Sequence, residues 1–268
     1  MIKLFKEALK YNPNYTEAYY NLGNAYREAG RTEEAMQAYQ KALAINPDYA
    51  WAYNNLGNAY FDDHQYDQAI GMFTKTIEID PGLVEAYINL GRTYNAVNQH
   101  EEAINAYKKA AAIQPGQAEA YYNLGNIYLG MNRNEEAIIA YNNALNIRGD
   151  DIYAYNNLGN AYKAINKNEE AVVAYNQAIA IDPEYVDAYN NLGSLYDTLD
   201  REDEAVALFK KAIEIRPDYA ITYNNLAVVY FNRQEYQLAI EYCDKAKELG
   251  FMNTAFLETL APYRVKQE

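Results

Sequence analysis

Cysteine, histidine and tryptophan are nearly missing from this chain of 268 residues, which holds one Cys, two His and one Trp. A single cysteine, Cys243, rules out an internal disulfide, and with His64 and His100 it falls short of the four ligands of an ordinary zinc site. Bases are scarce beside acids: 23 Lys and Arg face 37 Asp and Glu, for a formal net charge of -14. A nucleic-acid binder neutralises phosphates with clustered cations, and this carboxylate excess repels them within a Debye length of about 8–10 Å. Anionic membrane surfaces are disfavoured for the same reason. No apolar run approaches the roughly 20 residues that span a bilayer, and no basic-then-apolar leader opens the chain. The expectation is therefore no nucleic acid and no membrane insertion.

What is abundant is tyrosine, with 30 residues, and asparagine, and one repeated template explains both. The block LGNAY at 22–26 returns at 56–60 and 158–162. Steps of 34 from Leu22 land on Leu56, Leu90, Leu124, Leu158, Leu192 and Leu226, and steps from Ala35 land on Ala69, Ala103, Ala137, Ala171, Ala205 and Ala239. Pro13, Pro47, Pro81, Pro115, Pro183 and Pro217 keep the same register, with Gly149 filling the gap. Each unit predicts two amphipathic helices joined by a short polar turn. The first carries apolar positions such as Tyr19, Leu22 and Tyr26, and the second Ala35, Met36, Tyr39, Ala42 and Leu43. Small residues at Gly23, Ala35 and Ala42 let the two helices approach, and proline stops the second.

This pattern of aromatic, Leu-Gly, Tyr, Ala, aromatic, Ala and Pro resembles the tetratricopeptide repeat (TPR) family and covers nearly the whole chain. The resemblance implies an all-α, right-handed α-α superhelical solenoid. In the family's frame the repeats run 16–49, 50–83, 84–117, 118–151, 152–185, 186–219 and 220–253. Residues 1–15 match the second helix of a preceding unit, with Phe5, Ala8 and Pro13 in register, and 254–268 read as a C-terminal capping helix. A start in mid-repeat is expected of a shortened chain or a fragment of a longer array; the cytoplasm is the compartment expected for the chain as given, with an upstream signal left open because of that start. Ala227, Cys243, Phe251 and Gly149 depart from the pattern, and the Arg148-Gly149-Asp150-Asp151 stretch is expected to soften one junction.

No set of groups suited to catalysis appears, so the chain is read as no enzyme, with no cofactor and no metal. Leu-Gly-Asn has no second glycine in dinucleotide or P-loop spacing. His64 and His100 are expected in solvated turns, Cys243 as a small buried hydrophobe, and Glu33-Glu34, Glu101-Glu102, Glu135-Glu136 and Glu169-Glu170 as charges favouring the dipoles of second helices.

One column is not demanded by packing: Asn21, Asn55, Asn89, Asn123, Asn157, Asn191 and Asn225 precede the repeated leucine in every unit. Asparagine is an indifferent helix former, so its recurrence in mid-helix asks for another reason. Asn24, Asn58, Asn126 and Asn160 stand three residues on, on the same face. The resemblance implies that these positions face a concave groove, similar to the asparagine-lined superhelix of O-linked N-acetylglucosamine transferases. A primary amide offers a donor and an acceptor that match a peptide backbone. Tyr20, Trp51, Phe61, Tyr122, Tyr153 and Phe231 are the aromatic anchors expected on that face. A subset of the family clamps acidic C-termini with lysines and arginine, but here Tyr20, Glu85 and Asn89 stand at those sites and acids recur at Glu17, Glu119 and Asp187, which predicts weak or no binding of acidic tails.

The expected function is a non-enzymatic protein-interaction scaffold holding an extended, neutral or basic peptide. The alternatives are uniform asparagines left by duplication, self-association by stacking of the terminal repeats, and the docking region of a larger enzyme.

Overall fold

The computed structural model describes residues 1–264; the last four residues of the expected capping segment lie outside the described residues. Every regular element among the described residues is helical, so the fold is all-α as the periodicity predicts. The chain packs as two units, Met1–Ile127 and Tyr128–Glu268. The first contains α1 (Ile2–Tyr11), α2 (Thr16–Glu28), α3 (Thr32–Ile45), α4 (Ala50–Asp62), α5 (Tyr66–Ile79), α6 (Val84–Ala96), α7 (His100–Ile113) and most of α8 (Ala118–Gly130). The second contains α9 (Asn134–Ile147), α10 (Ile152–Ala164), α11 (Asn168–Ile181), α12 (Val186–Thr198), α13 (Glu202–Ile215), α14 (Ala220–Asn232), α15 (Tyr236–Glu248) and α16 (Thr254–Leu260), closed by a 3-10 turn at Ala261–Tyr263. Within each unit consecutive helices pack side by side, and links of three to five residues make them antiparallel neighbours.

Local chemistry sets both kinds of link. After a first helix, the chain turns through a left-handed residue: Gly30 (φ 70°), His64 (60°), Asn98 (60°), Asn132 (58°), Asn166 (59°), Asp200 (57°) and Gln234 (63°). The next N–H then reaches back to the last turn, as in Arg31 to the Tyr26 carbonyl at 2.9 Å and Gln65 to that of Tyr60 at 2.8 Å, which satisfies otherwise orphaned carbonyls. After α1, α3, α5 and α11 an Asn or Asp takes extended backbone ahead of proline, while Gln114 and Arg216 stand there after α7 and α13. The Asn or Asp side-chain oxygen accepts the N–H two residues on, in Asn12–Asn14 (3.2 Å), Asn46–Asp48 (3.1 Å) and Asp182–Glu184 (2.9 Å).

Where Gly149 replaces proline the device changes. Asp151 caps α10 by accepting the Ala154 N–H at 3.0 Å, and its buried carboxylate pairs with the Arg148 guanidinium. The junction expected to be soft is therefore pinned by an N-cap, and the arginine of the Arg-Gly-Asp tripeptide is engaged within its own turn.

The cores sit between the two helices of each pair. Tyr39 and Phe73 in the first unit, and Tyr175 and Phe209 in the second, are fully buried on second helices and lie directly over Gly23, Gly57, Gly159 and Gly193 of the preceding first helices. Ala35, Ala42, Ala69, Ala171 and Ala205 are completely buried too, which lets the backbones close on these rings. The acid pairs do stand in the first turns of α3, α7, α9 and α11.

Candidate functional site

The asparagine columns lie along the first helices, and hydrogen bonds within and between those helices set the amides' orientation. In the first unit Asn55 is the most engaged. Its Nδ2 donates to the Tyr20 hydroxyl at 3.1 Å and to Asn24 Oδ1 at 2.8 Å, while its Oδ1 accepts from Asn54 Nδ2 at 3.3 Å. Asn24 Oδ1 also accepts the Tyr39 hydroxyl at 2.7 Å. Asn89 Nδ2 donates to Asn54 Oδ1 at 3.2 Å, and Asn58 Oδ1 accepts from Arg92 at 3.2 Å. Asn21 is exposed; Asn123, Asn126 and Tyr122 are half-buried.

The second unit repeats the scheme. Asn191 Nδ2 donates to Asn156 Oδ1 at 2.8 Å, Asn157 Oδ1 accepts from Asn156 at 3.5 Å, and Asn160 Oδ1 accepts the Tyr175 hydroxyl at 2.8 Å. Asn225 is half-buried.

Sequence reasoning missed the column just before the ladder. Asn54, Asn156, Asn190 and Asn224 are all buried, and Asn54 and Asn156 receive the amides of Asn89 and Asn191 from the next first helix. The signal was present in the Asn-Asn doublets at 54–55, 156–157, 190–191 and 224–225. Neighbours on a helix point about 100° apart, so one of each pair has to leave the open face.

The anchors divide into two groups. Trp51 and Tyr153 are exposed, at 43% and 56%, and Tyr153 meets Tyr185 edge-on at 5.5 Å between centroids. Tyr20 and Phe61 are half-buried: Tyr20 packs on Tyr39 and Tyr49, and Phe61 lies under the Arg92 guanidinium at 4.3 Å. Phe231 is half-buried, and Phe256 and Tyr263 of the C-terminal segment both pack edge-on to it at 5.7 Å.

Acids mark the same helices. Glu17, Glu85 and Glu119 are exposed, and Asp187 accepts the Tyr219 hydroxyl at 2.7 Å. Burial and that bond push the Tyr219 phenol up to about 12. Burial lowers the Lys163 ammonium, which donates to Ser194 Oγ at 3.1 Å, and raises the Asp197 carboxyl.

This surface can donate and accept hydrogen bonds, but it brings together no nucleophile and base. Cys243 is buried, which raises its thiol. His64 lies in its turn with Nδ1 3.0 Å from the Tyr66 hydroxyl. His100, expected in a turn, is instead the first residue of α7, half-buried beside Asn95. Among the described residues no group of three His, Cys, Asp or Glu converges to hold a metal, and no helix is long and apolar enough to cross a membrane.

Comparison with known proteins places this geometry in a family. The model described as the cilia and flagella-associated protein 70 C-terminal domain matches residues 6–196, and tetratricopeptide repeat models match 186–219 and 220–249. No curated protein matches the sequence. The chain is similar to the crystal structure of MamA, at 32% identity and a TM-score of 0.59 over 62% of this chain and 96% of that one. It also resembles YrrB, described as "a TPR protein with an unusual peptide-binding site", at 24% identity and a TM-score of 0.61 over 70% and 96%. A tetratricopeptide repeat protein from Parabacteroides merdae shares the fold at 18% identity and a TM-score of 0.67 over 91% and 96%.

Proposed function

The chain belongs to the tetratricopeptide repeat family, whose fold serves protein–protein interaction, and from that premise we propose that it is a non-enzymatic scaffold binding an extended peptide along its first-helix face. We read the scaffold as seven repeats over 16–253, flanked by a half repeat and a capping helix.

The observation that carries this reading is the asparagine column. Hydrogen bonds from Asn89 to Asn54 and from Asn191 to Asn156 orient these two ladder amides while using only one of the two N–H groups of Asn89 and of Asn191. Preorganised donors lose less entropy on binding than mobile ones. Each bond to a peptide backbone is worth about 0.5–1.5 kcal/mol net, so the anchors Trp51 in one unit and Tyr153 in the other must contribute as well. The acids on the same helices favour a neutral or basic ligand and oppose an acidic one.

The experiment is selection from a peptide display library against the wild type and against two variants, Asn21→Ala with Asn89→Ala in the first unit and Asn191→Ala with Asn225→Ala in the second. Asn55 is left intact because it is bonded on every side. With circular dichroism unchanged, hits lost in one variant locate the peptide on that unit. Hits that survive both variants, or selection of acidic peptides, would sink the proposal.

A further inference from the structure

A second surface, formed largely by second helices, carries a cavity that the asparagine columns do not explain. In the second unit, α9, α10 and α11 enclose a volume of about 480 Å³ lined by Tyr155, Leu158, Tyr162, Val173 and the exposed carboxylates of Glu169 and Glu170. Val173 is 60% exposed, and Ile139, at the equivalent position of the preceding second helix, is 63% exposed.

The repeat supplies its own comparison. Shifted by four periods, the same positions in the first unit are Tyr19, Leu22, Tyr26 and Glu34, lining a cavity of about 360 Å³. There Lys41 and Lys6 also line the cavity, and their Nζ atoms stand 5.7 Å from the Tyr19 centroid and 5.5 Å from the Tyr26 centroid. A corresponding cavity around Tyr223 and Tyr242 has Lys245. Lysine occupies this position at Lys41, Lys75, Lys109, Lys211 and Lys245, but the residues are Asn143 and Gln177 in the two intervening repeats, and Asn142 stands where Lys6 does. Among the described residues no cation lies over the Tyr155 or Tyr162 ring.

We propose that this cavity is a docking site for a lysine or arginine side chain of a protein partner, which takes the place that the chain's own lysines fill in the first unit. Tyrosine faces attract the cation, Glu169 and Glu170 neutralise it, and Leu158 and Val173 receive its aliphatic stem. The exposed Ile139 and Val173 offer apolar area to the residues flanking that side chain, which a free small cation would not use. This site is independent of the peptide reading above, since neither Asn157 nor Asn191 lines it.

The test is a methyl-labelled full-length chain titrated with three probes: Nα-acetyl-lysine N-methylamide, its norleucine analogue, and tetramethylammonium. The lysine probe is expected to shift the Leu158 and Val173 methyl resonances at millimolar concentration, with the norleucine probe about fivefold weaker. Asn142→Lys with Gln177→Lys supplies the missing cations internally and is expected to abolish those shifts while circular dichroism is unchanged. Equal binding of the norleucine probe, shifts that persist in the double variant, or none at about 20 mM would overturn the proposal. Tetramethylammonium binding as tightly as the lysine probe would also overturn it, by assigning the cavity to a free cation.

Discussion

The ring of Tyr175 fills the space that a Cβ on Gly159 would need: that atom would stand 2.5 Å from Cε1 and 2.7 Å from Cδ1 of the ring. Past the glycine, the tyrosine hydroxyl reaches Asn160 on the same first helix. One small residue thus lets a second-helix aromatic both plug the pair and bond to the polar column.

Gly159→Ala is expected to lower the urea midpoint by an amount worth about 1–3 kcal/mol, because a fully buried ring has nowhere to move. Tyr175→Phe should cost about 1 kcal/mol, since the ring still fits, as Phe73 over Gly57 and Phe209 over Gly193 show, and only the bond to Asn160 is lost. Gly71→Ala is the control. Nothing lies within 4 Å of its Cβ position in α5, so about 0.5–1 kcal/mol of stabilisation is expected. A destabilising Gly71→Ala or a neutral Gly159→Ala would contradict the packing described.

Burial holds the phenols of Tyr39, Tyr107 and Tyr175 well above the ordinary value of 10.0. Raised pKa values mean that the folded chain keeps protons the unfolded chain has released. Stability is therefore full below about pH 10 and falls as pH rises from there toward the folded values, by up to about 1.4 kcal/mol per pH unit for each phenol. Urea midpoints followed upward from pH 9 or so should show this fall, with a shallower slope in Tyr175→Phe. A flat profile to the alkaline limit would argue that these hydroxyls are solvated.

Asp151 does at Gly149 what proline does elsewhere. Asp151→Ala is expected to cost about 1–2 kcal/mol and to speed hydrogen exchange in the first turn of α10. Asp151→Asn keeps an acceptor for the Ala154 N–H and should recover most of that loss. Arg148→Ala should change little, because the guanidinium is 60% exposed. Equal losses in Asp151→Ala and Asp151→Asn would mean that the ion pair matters more than the cap.

The spacing of 34 residues by itself determined that this chain is a series of helix pairs, because apolar periodicity, small residues at close approaches and a breaker after each pair are local properties carried by every unit. It also marked the asparagine columns and the fate of Cys243. The partners of each amide were decided by tertiary structure alone. That Asn55 is consumed by Tyr20, Asn24 and Asn54, that Phe231 is covered by Phe256 and Tyr263, and that Asp151 pins its junction all depend on residues brought together by packing. A periodic pattern states which face a residue is on, whereas a hydrogen bond depends on a distance between two helices, and that distance exists only once the glycines have let the rings in.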